Sequence, residues 1–389
     1  MTMIPLSQPD ITDAEVQAVV EVLRSHRLSI GPRQEEFEAM IAARAGRRFG
    51  VAVSSGTAGL HALMAAMGIG PGDEVITTPF SFVATANCAL MVGATPRFVD
   101  IDPRSLNMDP AQLEAAINPR TKAIIAVEVF GNPTHMDRIA SIARQHEVTL
   151  IEDCCEALGG QHKGKPVGSF GRAGVFAFYP NKQITTGEGG MIVTDDDHLA
   201  RLCKSLRNQG RAIDPRTHGS PGNVGGSWLS HERLGYNFRL SEIAAALGIA
   251  QMHRLDEMLE MRRRVAATYV RKLMDCPDII LPNVEDPSTM SWFVFVLRLS
   301  SQYGAAERDR IMAGLHRHEV GAANYFPCIH LQPFYRQQFG YKEGDFPVAE
   351  SISQRTIALP FYNRLEETTI NHVVATLKHM ISREQLARP

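Results

Sequence analysis

The chain has 389 residues, 40 Lys plus Arg against 42 Asp plus Glu, a formal charge of −2 and 44% apolar residues. These values exclude a disordered chain, which pairs low hydrophobicity with high net charge, and a nucleic-acid-binding domain with its basic excess. Apolar runs such as 243–251 are too short for a membrane span, the first residues lack the basic and apolar regions of a signal peptide, and six cysteines with no C-x-x-C pair fit neither a disulfide scaffold nor a zinc knuckle.

The expectation is a soluble, cytoplasmic protein of enzyme size, with no metal and no nucleic-acid or membrane partner. Residues 48–54 (RFGVAVS) predict a strand and 59–67 (GLHALMAAM) a helix. Residues 74–77 (EVIT) predict a strand after the turn Gly70-Pro71-Gly72-Asp73, 82–90 a helix, and 96–99 a strand. Further strands are predicted at 122–129 (KAIIAVEV), 148–151, 175–178 and 191–194. Continuous apolar runs alternating with helices predict an α/β fold, a mostly parallel sheet flanked by helices. Residues 208–234 are rich in Gly, Ser, Pro and Asn without periodicity, and a loop of that length is usually functional or mobile. Helices follow at 241–251 and 254–274, then a strand at 291–299 and helices near 306–317 and 368–383. The expected division is a large domain, residues 1–250, and a smaller α+β C-terminal domain, residues 251–389.

Three segments could carry chemistry. Ser54-Ser55-Gly56-Thr57-Ala58-Gly59 joins a predicted strand to a predicted helix. The N–H groups of a helix start hold anions, Gly56 admits close approach, and Thr57 adds a hydroxyl; a plain capped turn would use the same residues. Leu150-Ile151-Glu152-Asp153-Cys154-Cys155-Glu156 is an apolar strand ending in acids. Ligands of open α/β sheets sit at such strand ends, which makes Asp153 a candidate; a helix N-cap is the alternative. Cys154 and Cys155 read as small buried apolar residues. Lys182 lies between two apolar strands, beside the turn Gly187-Glu188-Gly189-Gly190. A desolvated lysine has a lowered pKa and forms Schiff bases; an ordinary hairpin lysine is the alternative, as Lys163 and Lys165 are in their polar turn. An anion cradle, an acid and a lysine, each at a strand end, are the groups that pyridoxal phosphate (PLP) requires.

With these residues the chain resembles the DegT/DnrJ/EryC1/StrS family of PLP-dependent sugar aminotransferases, of the aspartate-aminotransferase fold (fold type I), over nearly its whole length. The resemblance runs through Ile4-Pro5-Leu6, Gly31-Pro32 and Glu36-Phe37-Glu38, then Ser55-Gly56-Thr57-Ala58-Gly59-Leu60-His61 and Ser81-Phe82-Val83-Ala84-Thr85. It continues through Asp153, Asn181-Lys182, Thr186-Gly187-Glu188-Gly189-Gly190 and Gly235-Tyr236-Asn237-Phe238-Arg239-Leu240-Ser241-Glu242 to His330-Leu331-Gln332-Pro333 and Leu359-Pro360. It implies that Lys182 is the Schiff-base lysine, that Asp153 pairs with the ring nitrogen, and that Phe82 stacks on the ring. Gly56, Thr57 and Ala58 match the phosphate turn. Asn237 matches a residue that reaches the phosphate of the other subunit, which implies a homodimer with shared active sites. Without the resemblance, Phe82 reads as core packing and Asn237 as a helix N-cap. Glu156 departs from the Gln or His usual near the cofactor's phenolic oxygen, and Ala177 from a phosphate-binding Ser.

The implied activity is a ping-pong transamination. An amino acid, L-glutamate in most of the family, aminates the cofactor to pyridoxamine phosphate, which then aminates a nucleotide-linked keto-sugar for amino-sugar, polysaccharide or glycoside biosynthesis. Arg211 and Arg216 in the 208–234 loop are candidates to meet a diphosphate or carboxylate, with a solvated loop as the alternative; His330 is a candidate to line the substrate site, with a satisfied structural histidine the favoured alternative. Relatives that dehydrate sugars carry histidine at the lysine position, so Lys182 argues against that branch. A cyclitol aminotransferase would share the same cofactor motifs, and a non-catalytic PLP-binding regulatory protein would keep the cofactor without turnover.

Overall fold

A computed structural model describes residues 3–211, 230–283 and 288–386. The apolar runs form one seven-stranded sheet whose strands lie in the order β1 (Phe49–Val53), β9 (Gly190–Thr194), β8 (Ala173–Ala177), β5 (Thr149–Asp153), β4 (Thr121–Val127), β2 (Glu74–Thr77) and β3 (Thr95–Phe98). β9 is antiparallel to both of its neighbours, and the remaining pairs are parallel. Six strands therefore run in one direction, and their carboxyl ends share one edge of the sheet.

The strands are apolar throughout because both faces are covered. Val51 and Val53 pack against α3 (Gly56–Ala66) and α7 (Asp197–Arg207), whereas Ala52 between them packs on the opposite face with α2 (Pro32–Arg44) and α8 (Glu242–His253). The same alternation separates Val175 from Phe176 on β8. α4 (Ala84–Leu90), α5 (Pro110–Ala116) and α6 (Met136–Gln145) cover the β4–β2–β3 side. α1 (Asp13–Arg24), α2, α5, α6 and α7 are among the helices additional to the predicted elements. The starts of α1, α2 and α7 carry local signals: a Thr12–Glu15 capping box, Pro32 in the first turn of α2, and an Asp196 side chain that accepts from Leu199 N.

The predicted strand 122–129 ends at Val127, because Phe130 and Gly131 take left-handed backbone angles (φ 58° and 88°) and turn the chain out of the ladder. The predicted strand 148–151 runs on to Asp153, and 291–299 is extended strand only from Phe295.

β6 (Gln161–His162) and β7 (Lys165–Pro166) form a small hairpin that pairs with β11 (Ser288–Thr289). Towards the C-terminus, β10 (Ile279–Ile280), β12 (Phe295–Leu299) and β13 (Thr356–Leu359) form an antiparallel sheet. It packs with α10 (Ala305–Arg317) and α13 (Glu367–Leu386) around a second core. α9 (Leu255–Leu273) serves both cores: Leu255 and Met258 pack with α2 and α8, and Val265, Tyr269 and Leu273 join the C-terminal core. α11 (Pro333–Phe339) and α12 (Pro347–Ser353) complete this part. Among the described residues, no helix is long and apolar enough to cross a membrane.

Candidate active site

The shared carboxyl edge of the sheet opens into a cavity of about 580 Å³. Ser55, Gly56 and Thr57 enter it from the turn after β1, Asp153 from the end of β5, Ala177 from the end of β8, and Lys182 from the connection between β8 and β9. The three segments singled out in the sequence thus meet at one place, although they are separated along the chain.

The turn after β1 is both a capped helix start and a cavity wall. Ser55 is the N-cap of α3, and its side chain accepts from Ala58 N at 3.1 Å. That bond occupies the Ala58 N–H, and Ala58 itself does not line the cavity; Gly56 and Thr57 do. Of the three residues of the predicted phosphate turn, Gly56 and Thr57 thus face the cavity and Ala58 stands behind them. A Cβ on Gly56 would lie 2.7 Å from Cys155 Sγ and 3.0 Å from Ala177 Cβ, so glycine is required where the helix start meets the sheet.

Asp153 ends its strand and no helix follows, so it is not an N-cap. Its Oδ2 accepts from Thr85 Oγ1 at 2.6 Å and its Oδ1 from Cys155 N at 3.2 Å. Thr85 Oγ1 is also 3.0 Å from Ser81 Oγ. Deeper in the sheet, Glu152 accepts three backbone N–H bonds at 2.7 Å, from Gly168, Phe170 and Gly171. Its neighbour Glu128 is fully buried. Burial and the charges of Glu152 and Asp153 push the Glu128 carboxyl well above the usual range, which leaves it neutral. Cys154 lies beside this pair, and burial pushes its thiol well up too. Metal coordination there would first have to remove these protons. Cys155 lines the cavity, but burial and Asp153 hold it as a thiol.

Lys182 is not in a tight hairpin. Its ammonium sits 3.8 Å above the centre of the Phe293 ring and 3.9 Å from Glu156 Oε1. The Lys182 carbonyl accepts from Arg262 Nη2 at 2.9 Å, and Arg262 Nη1 donates to the Phe293 carbonyl at 3.1 Å. Arg262 is buried, which lowers its pKa to about 10. Glu156 is buried as well; its Oε2 accepts from Phe130 N at 2.8 Å. Burial raises the Glu156 carboxyl to about 7, against the opposing pull of Lys182 and the Phe130 N–H. Lys163 and Lys165 stand away from this site, against Asp137 and the Phe170 ring.

Other predicted residues are placed differently. Phe82 lines the cavity but is 60% exposed, so it is not core packing. Asn237 is exposed and bridged to Asn208, outside this cavity, and Ser241 rather than Asn237 caps α8. His330 is fully buried, 3.0 Å from Glu350 and packed against Phe346, and burial lowers its pKa. It does not reach the cavity, because the neutral ring completes an aromatic cluster. Arg211 pairs through its backbone with His231 and does not line the cavity. Arg216 lies outside the described residues. Thr85, Phe293 and Arg262 are the participants that sequence reasoning missed. Thr85 alone had a signal, its place within the Ser81–Thr85 motif.

The cavity suits pyridoxal phosphate. It presents one amine, one carboxylate held by two donors, and a glycine-lined helix start that a Cβ would obstruct. The model of the DegT/DnrJ/EryC1/StrS aminotransferase family matches residues 9–378. The chain is 38% identical over 382 residues to the spore coat polysaccharide biosynthesis protein SpsC of Bacillus subtilis (strain 168), covering 97% of each. Among solved structures it is similar to Helicobacter pylori PseC, an aminotransferase involved in the biosynthesis of pseudoaminic acid (TM-score 0.90, 28% identity, 98% of this chain and 100% of that one). It is also similar to Streptococcus pneumoniae Spr1654 in its PLP form (TM-score 0.90, 26% identity, 98% and 99%).

Proposed function

Because the chain belongs to the DegT/DnrJ/EryC1/StrS aminotransferase family and is a PLP-dependent transaminase, we propose that it moves an amino group from an amino acid, L-glutamate foremost, to a nucleotide-linked keto-sugar. The observation that carries this reading is the meeting of Lys182, Asp153 and the start of α3 at one cavity. The likeness to a polysaccharide biosynthesis protein supports a sugar as the acceptor. The proposal includes a large part of residues 1–250 and a smaller part of residues 251–389, a cytoplasmic location, and a homodimer with shared sites. The exposure of Phe82 and Tyr179 at the cavity, and of Asn237 beyond it, supports the dimer.

In this reading Lys182 would hold the cofactor through Nζ, Asp153 at the ring nitrogen, the Gly56 and Thr57 N–H groups at the phosphate, and Phe82 across the ring face. When bound, PLP supplies an aldehyde that combines with amines and an electron-poor ring that stabilises negative charge on the neighbouring carbon. Lys182 Nζ takes the proton that leaves the donor's α-carbon and returns it on the other side of the exchange. The Asp153 carboxylate, fixed by Thr85 and the Cys155 N–H, keeps a proton on the atom it faces. Phe293 and the other aromatic walls limit the entry of water.

The test is spectroscopic and then chemical. Protein loaded with PLP should be yellow, glutamate should bleach the band, and Lys182→Ala should not form it. Release of 2-oxoglutarate beyond the one equivalent per site that bleaching produces should then depend on one member of a panel of keto-sugar nucleotides. A protein that gains no band with PLP would overturn the cofactor assignments. Turnover with a keto-cyclitol alone, or with no acceptor at all, would overturn the sugar reading.

A further inference from the structure

Glu156 offers two oxygens of unlike surroundings. Oε2 is fixed by the Phe130 N–H at 2.8 Å, a donor aimed by the left-handed backbone of Phe130. Oε1 accepts no hydrogen bond among the described residues and stands 3.9 Å from Lys182 Nζ. The Glu156 backbone is held too, since its carbonyl accepts from Gln183 Nε2 at 2.6 Å, one residue beyond the lysine. A movement of about 1 Å along the lysine stem brings Nζ and Oε1 to hydrogen-bond distance.

We propose that Glu156 is a positioning residue that stores the proton of Lys182, taking it on Oε1 when the amine must be neutral and returning it afterwards. In that exchange the N–H bond of the ammonium breaks and the O–H bond of the carboxylic acid forms. The pair passes from ammonium and carboxylate to amine and acid, so its net charge stays zero and no proton crosses to solvent. A buried site favours this, because separated charges are costly there and the neutral pair is not. The groups facing Glu156 leave Lys182 as its proton partner. Asp153 and Cys155 come from its own segment, one an acid and the other a thiol held protonated. Tyr325 comes from the C-terminal part, with a hydroxyl that burial and Glu156 push upward. Phe130 presents only its N–H.

The proposal rests on the PLP-dependent reading above, and its test separates the two. The visible absorbance of PLP-loaded protein is titrated for wild type, Glu156→Gln and Glu156→Asp. Gln keeps the size and the acceptor for Phe130 but cannot hold the proton; Asp keeps the proton with a shorter reach. Wild type should show a pH-dependent step. Asp should retain it, and Gln should lose it or move it by at least about one pH unit. A merely structural role predicts the opposite order, with Gln closer to wild type. Infrared difference spectra of wild type alone should show a protonated-carboxyl C=O stretch vanishing over the same pH interval. An identical step in Gln and wild type, or a visible step with no carboxyl signal, would overturn the proposal and leave the cofactor reading intact. A wild-type protein that takes up no PLP would overturn both.

Discussion

Thr85 Oγ1 donates to Asp153 Oδ2 at 2.6 Å, joining the first turn of α4 to the last residue of β5. The hydroxyl also meets Ser81 Oγ, so a short polar chain runs from the β2 turn to the acid. Asp153 is thereby held in one orientation by α4 on one oxygen and by the Cys155 N–H on the other.

Removing that hydroxyl should therefore loosen the acid without emptying the core. Thr85→Val keeps the shape and leaves Oδ2 short of a donor, a loss of about 1–3 kcal/mol for a buried acceptor. We expect kcat/KM to fall at least about tenfold, and Thr85→Ser to restore most of it. Steady-state kinetics on the three proteins checks this; unchanged kinetics in the Val variant would remove Thr85 from the site.

Gly56 has no room for a side chain. Gly56→Ala places a methyl 2.7 Å from Cys155 Sγ and 3.0 Å from Ala177 Cβ. The expected cost is about 1–3 kcal/mol of stability, accompanied by weaker PLP binding. Chemical denaturation of the apo-protein and a cofactor titration measure the two effects separately.

Ala177 lines the same corner without a donor. Ala177→Ser adds a hydroxyl beside the helix start. A hydrogen bond to a charged phosphate contributes about 1.5–3 kcal/mol, so PLP should bind at least about tenfold more tightly. Equal affinity for the two proteins would place the phosphate elsewhere.

The Glu156 carboxyl also affects stability in the absence of cofactor. Its folded pKa, about 7, is raised above the ordinary 4.5. Its contribution is therefore complete below 4.5 and is lost as pH rises through 7. Glu156→Gln has no such loss. Over that interval the variant should gain on wild type by about 1.4 kcal/mol for each pH unit, read from denaturant unfolding of the two apo-proteins. A difference that stays constant with pH would contradict the buried, proton-holding state of Glu156.

Much of this site was legible because its residues sit where regular elements end. Asp153 closes an apolar strand, Lys182 follows one, and Gly56 opens a helix, and each boundary shows in composition. β2 at Glu74–Thr77 coincides with its predicted range for the same reason, an apolar run after a Gly-Pro-Gly-Asp turn. The supporting residues were less legible. Thr85 and Asp153 are 68 positions apart, and Arg262 and Lys182 are 80 apart. Such contacts follow from the strand order, which places β5 beside β8 and β4, and a single sequence carries no local trace of it. His330 fits the structural alternative, since the folded chain closes an aromatic cluster around it. Residues 208–234 read as irregular, and most of them, Arg216 included, lie outside the described residues.

Arg262 belongs to α9, in the C-terminal third of the chain, yet its guanidinium grips the carbonyls of Lys182 and Phe293. The shape of the segment that bears the amine is thus set from a distant stretch of sequence. Chimaeras that exchange C-terminal segments between relatives should keep this lysine active only when the incoming helix brings a guanidinium to the same position. A fragment ending before α9 would retain the amine, the acid and the glycine turn, yet leave the lysine's backbone carbonyl without this donor.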